Sequence, residues 1–299
     1  MNKEAYEKYL LAGEIASKAR DYGATIIKHD VSLLDVAEKV ESKIKKLGAS
    51  ISFPVNIAIN NLAAHYSPRH DDKIVFKKGD LVKLDVGTHI DGYIADTAIT
   101  LEVGTNIYSD IVKASSEGLN VAIENVKPGV KLSEIGKKVE KKISSYGFKP
   151  IENLTGHSLK RYVLHAGLSV PSVNDISNLS KLKVDDVVAI EPFATDGAGY
   201  VVSGKGSNIY ICNKSFRSSL IRDKKSKLIY YKFKKKFNTL PFAQRWVEKH
   251  FKNSDIILKR LSLLGYLKHY PQLIEKKNGI VSQKEHTVII TENGCEVTT

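Results

Sequence analysis

Asp80-Leu81-Val82-Lys83-Leu84-Asp85-Val86-Gly87-Thr88-His89-Ile90-Asp91-Gly92-Tyr93-Ile94-Ala95-Asp96-Thr97-Ala98-Ile99-Thr100-Leu101 consists of two apolar runs on either side of Asp91-Gly92. Asp-Gly is the dipeptide most typical of a two-residue hairpin turn. Such a turn pairs Ile90 with Tyr93, sets Asp85 opposite Ala98 and makes Asp96 its diagonal neighbour on the same face, roughly 7–8 Å away at the backbone. Ionised carboxylates on a buried face cost several kcal/mol, roughly, unless a counter-charge is present. A shared divalent cation would supply one.

Three more ligand-type side chains occupy comparable settings. His157 follows Leu154-Thr155-Gly156, Glu191 closes the apolar run Val187–Ile190 ahead of Pro192, and Glu285 precedes His286 at the start of a final strand-like run. Taken singly, a histidine here is an ordinary hydrogen-bonded residue and Glu285 an ordinary surface acid. As a set of five they point to a metal site.

The second half of the chain repeats the plan of the first. Leu33-Leu34-Asp35-Val36-Ala37-Glu38-Lys39-Val40 matches Leu132-Ser133-Glu134-Ile135-Gly136-Lys137-Lys138-Val139, and Asp80–Asp85 matches Asp186–Glu191. The second match superposes Asp85 on Glu191. A duplication that sets two half-sites face to face places a site at the join, where ligand sites commonly lie.

Periodicity predicts helices over Tyr6–Asp21 and Leu33–Leu47, the latter opened by the capping-box spacing of Ser32 and Asp35, then a strand over Ala49–Ile59 and the hairpin. Formal net charge is +13, but residues 213–278 hold 18 Lys and Arg against 4 Asp and Glu, leaving 28 against 29 elsewhere. This basic segment is mostly helical in period, and the strand pattern resumes at Gly279. One catalytic domain, 1–299, is therefore expected, with a first half at 1–104, a second half at 105–212 and 279–299, and an insertion at 213–278.

With 299 residues, 42% hydrophobic and 26% charged, the composition is that of a soluble globular protein. No run approaches the ~20 apolar residues of a membrane span, and Met1-Asn2-Lys3-Glu4-Ala5-Tyr6 lacks the apolar core of a signal peptide. Cys212 and Cys295 lack CxxC spacing. A cytoplasmic monomer without membrane contact is expected.

Five segments, in order, are similar to the motifs of the type 2 methionine aminopeptidases: Asn60–Pro68, Leu84–Ala98, Gly156–Leu159, Ala189–Ala194 and Gln283–Thr287. The basic segment, with Asn238–Trp246 and Tyr270-Pro271-Gln272-Leu273, resembles the helical subdomain that distinguishes type 2 from type 1 enzymes. The long charged N-terminal extension of eukaryotic members has no counterpart, so the chain looks archaeal in kind. The resemblance implies an α+β fold of the creatinase-like "pita-bread" type, with two pseudo-symmetric halves, a curved, mainly antiparallel sheet, outer helices and a helical insertion.

The resemblance also implies roles. Asp85, Asp96, His157, Glu191 and Glu285 would hold two divalent ions for two-metal hydrolysis of the bond after an N-terminal methionine. Glu191 would relay the proton, and His65 and His165 would stand beside the substrate and stabilise its carbonyl oxygen. Phe53, in Ile51-Ser52-Phe53-Pro54, matches an aromatic wall of the methionine pocket, although core packing alone would also explain it. Carboxylates with one imidazole suit Mn²⁺, Fe²⁺, Co²⁺ or Zn²⁺ without choosing among them. Ser207-Asn208-Ile209-Tyr210 departs from the eukaryotic pattern after Gly206, and no pocket role is carried there.

Two other readings compete. Proline-specific peptidases of the same fold carry an extra N-terminal domain of which there is no trace, and non-enzymatic relatives that bind ribosomes or RNA have lost metal ligands that are all present here. Tyr230-Tyr231-Lys232-Phe233-Lys234-Lys235-Lys236-Phe237 interleaves aromatics with cations as a nucleic-acid surface does, and ribosomal RNA is the partner expected of 213–278. The alternative is a solvated face on a Lys-rich protein.

Overall fold

The computed structural model describes residues 1–213 and 223–299; residues 214–222 of the basic segment lie outside the described residues. The chain opens with α1 (Lys3–Ile26), α2 (Leu33–Lys46), β1 (Ser50–Ile59), β2 (Leu62–Ala64), β3 (Leu81–Ile90) and β4 (Tyr93–Glu102). β3 and β4 form the hairpin in the register that a two-residue turn dictates, with Ile90 opposite Tyr93 and Asp85 opposite Ala98. Asp91 and Gly92 both have positive φ, 50° and 89°, as a type I′ turn requires.

Ser32 Oγ accepts from Asp35 N–H at 3.4 Å and caps α2. Leu33, Val36, Ala37, Val40 and Ile44 then recur at helical spacing and bury one stripe against β1. Burying each of the larger aliphatics contributes about 1.5–3 kcal/mol. Glu41 lies inside the same stripe and is also buried.

The second half begins with α3 (Ser109–Asn125), α4 (Leu132–Ser144), β5 (Lys149–Pro150), β6 (Thr155–Ser158), β7 (Ser169–Pro171), β8 (Val187–Ile190), β9 (Phe193–Thr195) and β10 (Val201–Cys212). α4 repeats α2, burying Leu132, Ile135, Val139 and Ile143. The repeat extends to the residue before each helix, since Ser32 bridges to Val75 and Lys131 to Lys181.

Residues 223–299 form α5 (Lys224–Phe237), β11 (Phe242–Ala243), α6 (Gln244–Glu248), α7 (Ser254–Leu263), β12 (Leu267–Glu275), β13 (Val281–Gln283), β14 (His286–Ile290) and β15 (Cys295–Val297). Tyr230, Phe233, Phe242, Val247, Leu258 and Leu261 build a core of their own for the helical part. Within the segment whose period is mostly helical, residues 267–275 are a strand, because Pro271 cannot sit in a helix interior. This strand pairs with β10 and β2.

Among the described residues four antiparallel sheets result, in the orders β1-β3-β4, β11-β10-β12-β2, β13-β9-β5 and β15-β14-β8-β6-β7. Register shifts in β1 against β3, around Phe53 and up to Asn56, mark bulges of the kind that bend a strand. In the second half β8 and β14 correspond to the β3–β4 hairpin, although the basic segment separates them in sequence. Among the described residues no helix is long and apolar enough to cross a membrane.

Candidate metal centre

Five strands bring the ligand-type side chains together. Asp85 lies on β3, Asp96 on β4 and His157 on β6, while Glu191 immediately follows β8 and Glu285 immediately precedes β14. Ile190 pairs with His286, so the two glutamates leave neighbouring strands side by side. Ligand atoms of Asp96, His157 and Glu285 all lie within 4.8 Å of one another. His157 Nε2 is 3.7 Å from Asp96 Oδ2 and 3.5 Å from Glu191 Oε1. All five line one cleft, together with His65, His165 and Phe53.

Electrostatics makes this cluster unfavourable without a cation. Burial, and then mutual repulsion, raises Asp96, Glu191 and Glu285 well above the ordinary carboxylate range, and burial raises Asp85 as well. Among the described residues, the basic side chain within ion-pair distance of Asp96 and Glu191 is His157, and burial holds that imidazole down to about 3, reinforced by His165. It is therefore neutral at physiological pH and has a lone pair to offer. Asp85 Oδ1 and Asp96 Oδ1 are buried and receive no protein donor. Oxygen-rich donors with one neutral imidazole, two of them orphaned carboxylate oxygens, fit Mn²⁺, Fe²⁺, Co²⁺ or Zn²⁺.

Supporting residues fix these side chains. Gln283 Nε2 donates to Glu285 Oε2 at 3.2 Å and to Glu191 Oε2 at 3.4 Å. Thr287 Oγ1 accepts from Asp96 N–H and donates to Asp96 O, both at 2.8 Å. The sequence reading assigned neither residue a role. Gln283 was detectable in principle, because it lies two positions from Glu285, the spacing that shares a face in a strand.

Phe53 is buried and pairs in register with Gly87, where a Cβ would come within 2.1 Å of the phenyl ring. It packs with Ile94, Leu159 and Leu164 and also lines the cleft. His65 has φ 62° and stands edge-on to Tyr270 at 5.3 Å between ring centroids. Burial lowers it to about 4, repulsion from His165 adds to this, and a backbone hydrogen bond at Pro271 opposes it. His165 is exposed, and its ring centroid is 4.3 Å from that of His157. Tyr270 and Pro241 line the same cleft and had no role in the sequence reading.

Residues 7–292 match the model of metallopeptidase family M24. The chain belongs to this family. The methionine aminopeptidase of Methanocaldococcus jannaschii is 47% identical to this M24 chain over 299 residues, covering 100% of each. Among solved structures, a thermophilic Arx1 superposes with a TM-score of 0.86 at 18% identity, over 100% of this chain and 91% of the other. The methionine aminopeptidase of Thermotoga maritima superposes with a TM-score of 0.73 at 22% identity, over 100% and 98%. At those identities the two structures speak to the fold, which is the pita-bread fold of M24.

The α5 surface differs from the sequence expectation. Tyr230 and Phe233 are buried in the core of the helical part, while Lys232, Lys234, Lys235 and Lys236 are exposed. The interleaved aromatics therefore include inward-facing core residues, and the outward face is chiefly cationic.

Proposed function

We propose that this chain removes the N-terminal methionine of peptides and nascent proteins, with two divalent ions held by Asp85, Asp96, His157, Glu191 and Glu285. The observation that carries this reading is the meeting of four carboxylates, Asp96 and Glu285 buried and Asp85 and Glu191 half-buried, with one neutral imidazole in a single cleft. When bound, the ions supply Lewis-acid polarisation of the scissile carbonyl and a water of lowered pKa. Glu191, oriented by Gln283, accepts the proton of the attacking water and delivers it to the leaving amine. His65 and His165 donate toward the carbonyl oxygen as it gains charge. Phe53 forms an apolar wall for the methionine side chain, and the acidic end of the cleft receives the substrate's free α-amino group.

The test is release of methionine from Met-Ala-Ser after reconstitution in turn with Mn²⁺, Fe²⁺, Co²⁺ and Zn²⁺. Turnover that the metal restores and Asp96→Ala abolishes supports the reading. Undiminished turnover by Asp96→Ala overturns it.

We also propose that residues 213–278 form an inserted subdomain whose lysines draw the protein to ribosomal RNA in the cytoplasm. The exposed lysines of α5 support contact with phosphates, and Cys212 and Cys295 are unpaired, as a reducing compartment favours. Co-sedimentation with ribosomes that weakens as salt rises would support the interaction; indifference to salt, or absence at low salt, would count against it.

A further inference from the structure

Glu41, the buried acid in the stripe of α2, finds its partner far along the chain in the basic segment. Arg245 on α6 is fully buried, and its Nη2 donates to Glu41 Oε1. Its Nη1 donates to Ser67 Oγ at 2.7 Å and to Pro68 O at 3.0 Å. Trp246 Nε1 donates to the other oxygen of Glu41 at 2.8 Å. A buried ion pair of this kind is often no more stabilising than an apolar pair of the same volume, so stability alone does not account for it.

The segment that Arg245 grips carries His65. Ser67 Oγ also donates to Val55 O at 2.7 Å, Ser67 N–H donates to Ser207 O at 3.2 Å, and Ser67 O accepts from Asn208 Nδ2 at 3.0 Å. Ile57 N–H donates to Tyr66 O at 2.8 Å. Two residues before Ser67, His65 holds φ 62°, a region costly for a residue with a side chain and one that persists where the surroundings over-determine it. Arg245 is the charged, directional member of those surroundings.

We propose that Arg245 is a positioning residue for His65: tied to α2 through Glu41, its guanidinium fixes the segment 65–68 so that the imidazole stays turned into the cleft. The basic segment thereby shapes the substrate side of the site, while the metal ligands lie on other strands. The inference rests on the reading of His65 as a group that touches substrate.

The test pairs Arg245→Met with Glu41→Gln, so that neither charge is left buried alone, and combines the pair with His65→Ala in a double-mutant cycle on metal-reconstituted enzyme. Metal stoichiometry is expected to be unchanged, with kcat/KM for Met-Ala-Ser reduced about tenfold to a hundredfold, as a small misplacement of a catalytic group produces. In the His65→Ala background the same pair should cost less than about twofold, because the group it positions is gone. An undiminished kcat/KM, or an equal loss in both backgrounds, overturns the proposal. If His65→Ala alone leaves kcat/KM unchanged, the reading of His65 fails, and the inference with it. Arg245→Lys covers the case in which the pair does not fold. It keeps the charge opposite Glu41 but lacks the fork that reaches Ser67 and Pro68, and it should lower kcat/KM with metal content intact; full activity in Arg245→Lys also overturns the proposal.

Discussion

Ala98 and Glu285 are joined by an antiparallel bridge in which Glu285 N–H donates to Ala98 O at 3.1 Å and Ala98 N–H to Glu285 O at 3.4 Å. Ala98 is also the cross-strand partner of Asp85. The seam between the halves therefore sets Asp85, Ala98 and Glu285 in one row, with Asp96 two residues from Ala98 on the same face. Backbone pairing holds these carboxylates together, and their mutual repulsion is borne by the fold until a cation relieves it.

Asp96→Asn removes one charge from that cluster without disturbing the backbone bonds to Thr287. Methionine release should fall by at least about a hundredfold, since even the partners of metal ligands are worth 10–100-fold. The metal-free variant should melt higher than the metal-free parent, because one buried acid has been neutralised, and it should gain less on metal addition. A metal-free melting temperature below that of the parent would show that repulsion is not what the cation relieves.

Chelation should expose a pH dependence that metal masks. Asp85, Asp96, Glu191 and Glu285 are raised in the fold, so the folded chain binds protons that the unfolded chain, titrating near about 4, does not. Their contribution is present at low pH and is lost as pH rises through the raised values, at up to about 1.4 kcal/mol per pH unit for each titrating group. His65 and His157, lowered to about 4 and about 3, act in the opposite sense below their unfolded value of roughly 6.5 and contribute no slope above it. Buried Lys83, also lowered, gives the same slope with and without metal and cancels in the comparison. The melting-temperature gap between Mn²⁺-loaded and chelated protein should widen from pH 6.5 to 8.5, and a constant gap would refute this account.

Phe53→Leu separates core packing from the proposed substrate contact of Phe53. Loss of core packing should cost less than about 1.5 kcal/mol, because the volume is nearly kept. If the ring also walls the substrate pocket, KM for Met-Ala-Ser rises while metal stoichiometry stays the same. A stability loss with unchanged KM would leave Phe53 as a core residue only.

Legibility in the sequence followed the range of the interactions. The hairpin register was readable because Asp91-Gly92 fixes it locally, and α2 and α4 were readable because each carries its own apolar stripe. The five side chains that meet in the cleft were singled out by the cost of charge in apolar runs and by motif resemblance. Long-range geometry could not be read in this way. The bridge from Ala98 to Glu285, the pairing of β12 with β10 and β2, and the reach of Arg245 to Ser67 join residues whose separation leaves no periodic trace. Tyr270 entered the cleft by the same route, on a strand inside a segment of mostly helical period.

The exposed lysines of α5 permit a test of partner binding that leaves the chemistry untouched. Lys232, Lys234 and Lys235 are exposed and do not line the metal cleft, whereas Tyr230 and Phe233 beneath them form the core. Substituting the three lysines with glutamate should therefore keep the fold and the kcat/KM for Met-Ala-Ser, while weakening co-sedimentation with ribosomes. If phosphates are the contact, each lost cation should lower the slope of log affinity against log salt by roughly 0.7–0.9. With Tyr230 and Phe233 turned inward and Tyr231 the one exposed aromatic of the described α5 residues, base stacking should add little, so the loss should be nearly uniform across RNA sequences. A triple variant that still sediments with an unchanged salt slope would assign the interaction to another surface, and one that loses peptide turnover as well would show that α5 is coupled to the cleft.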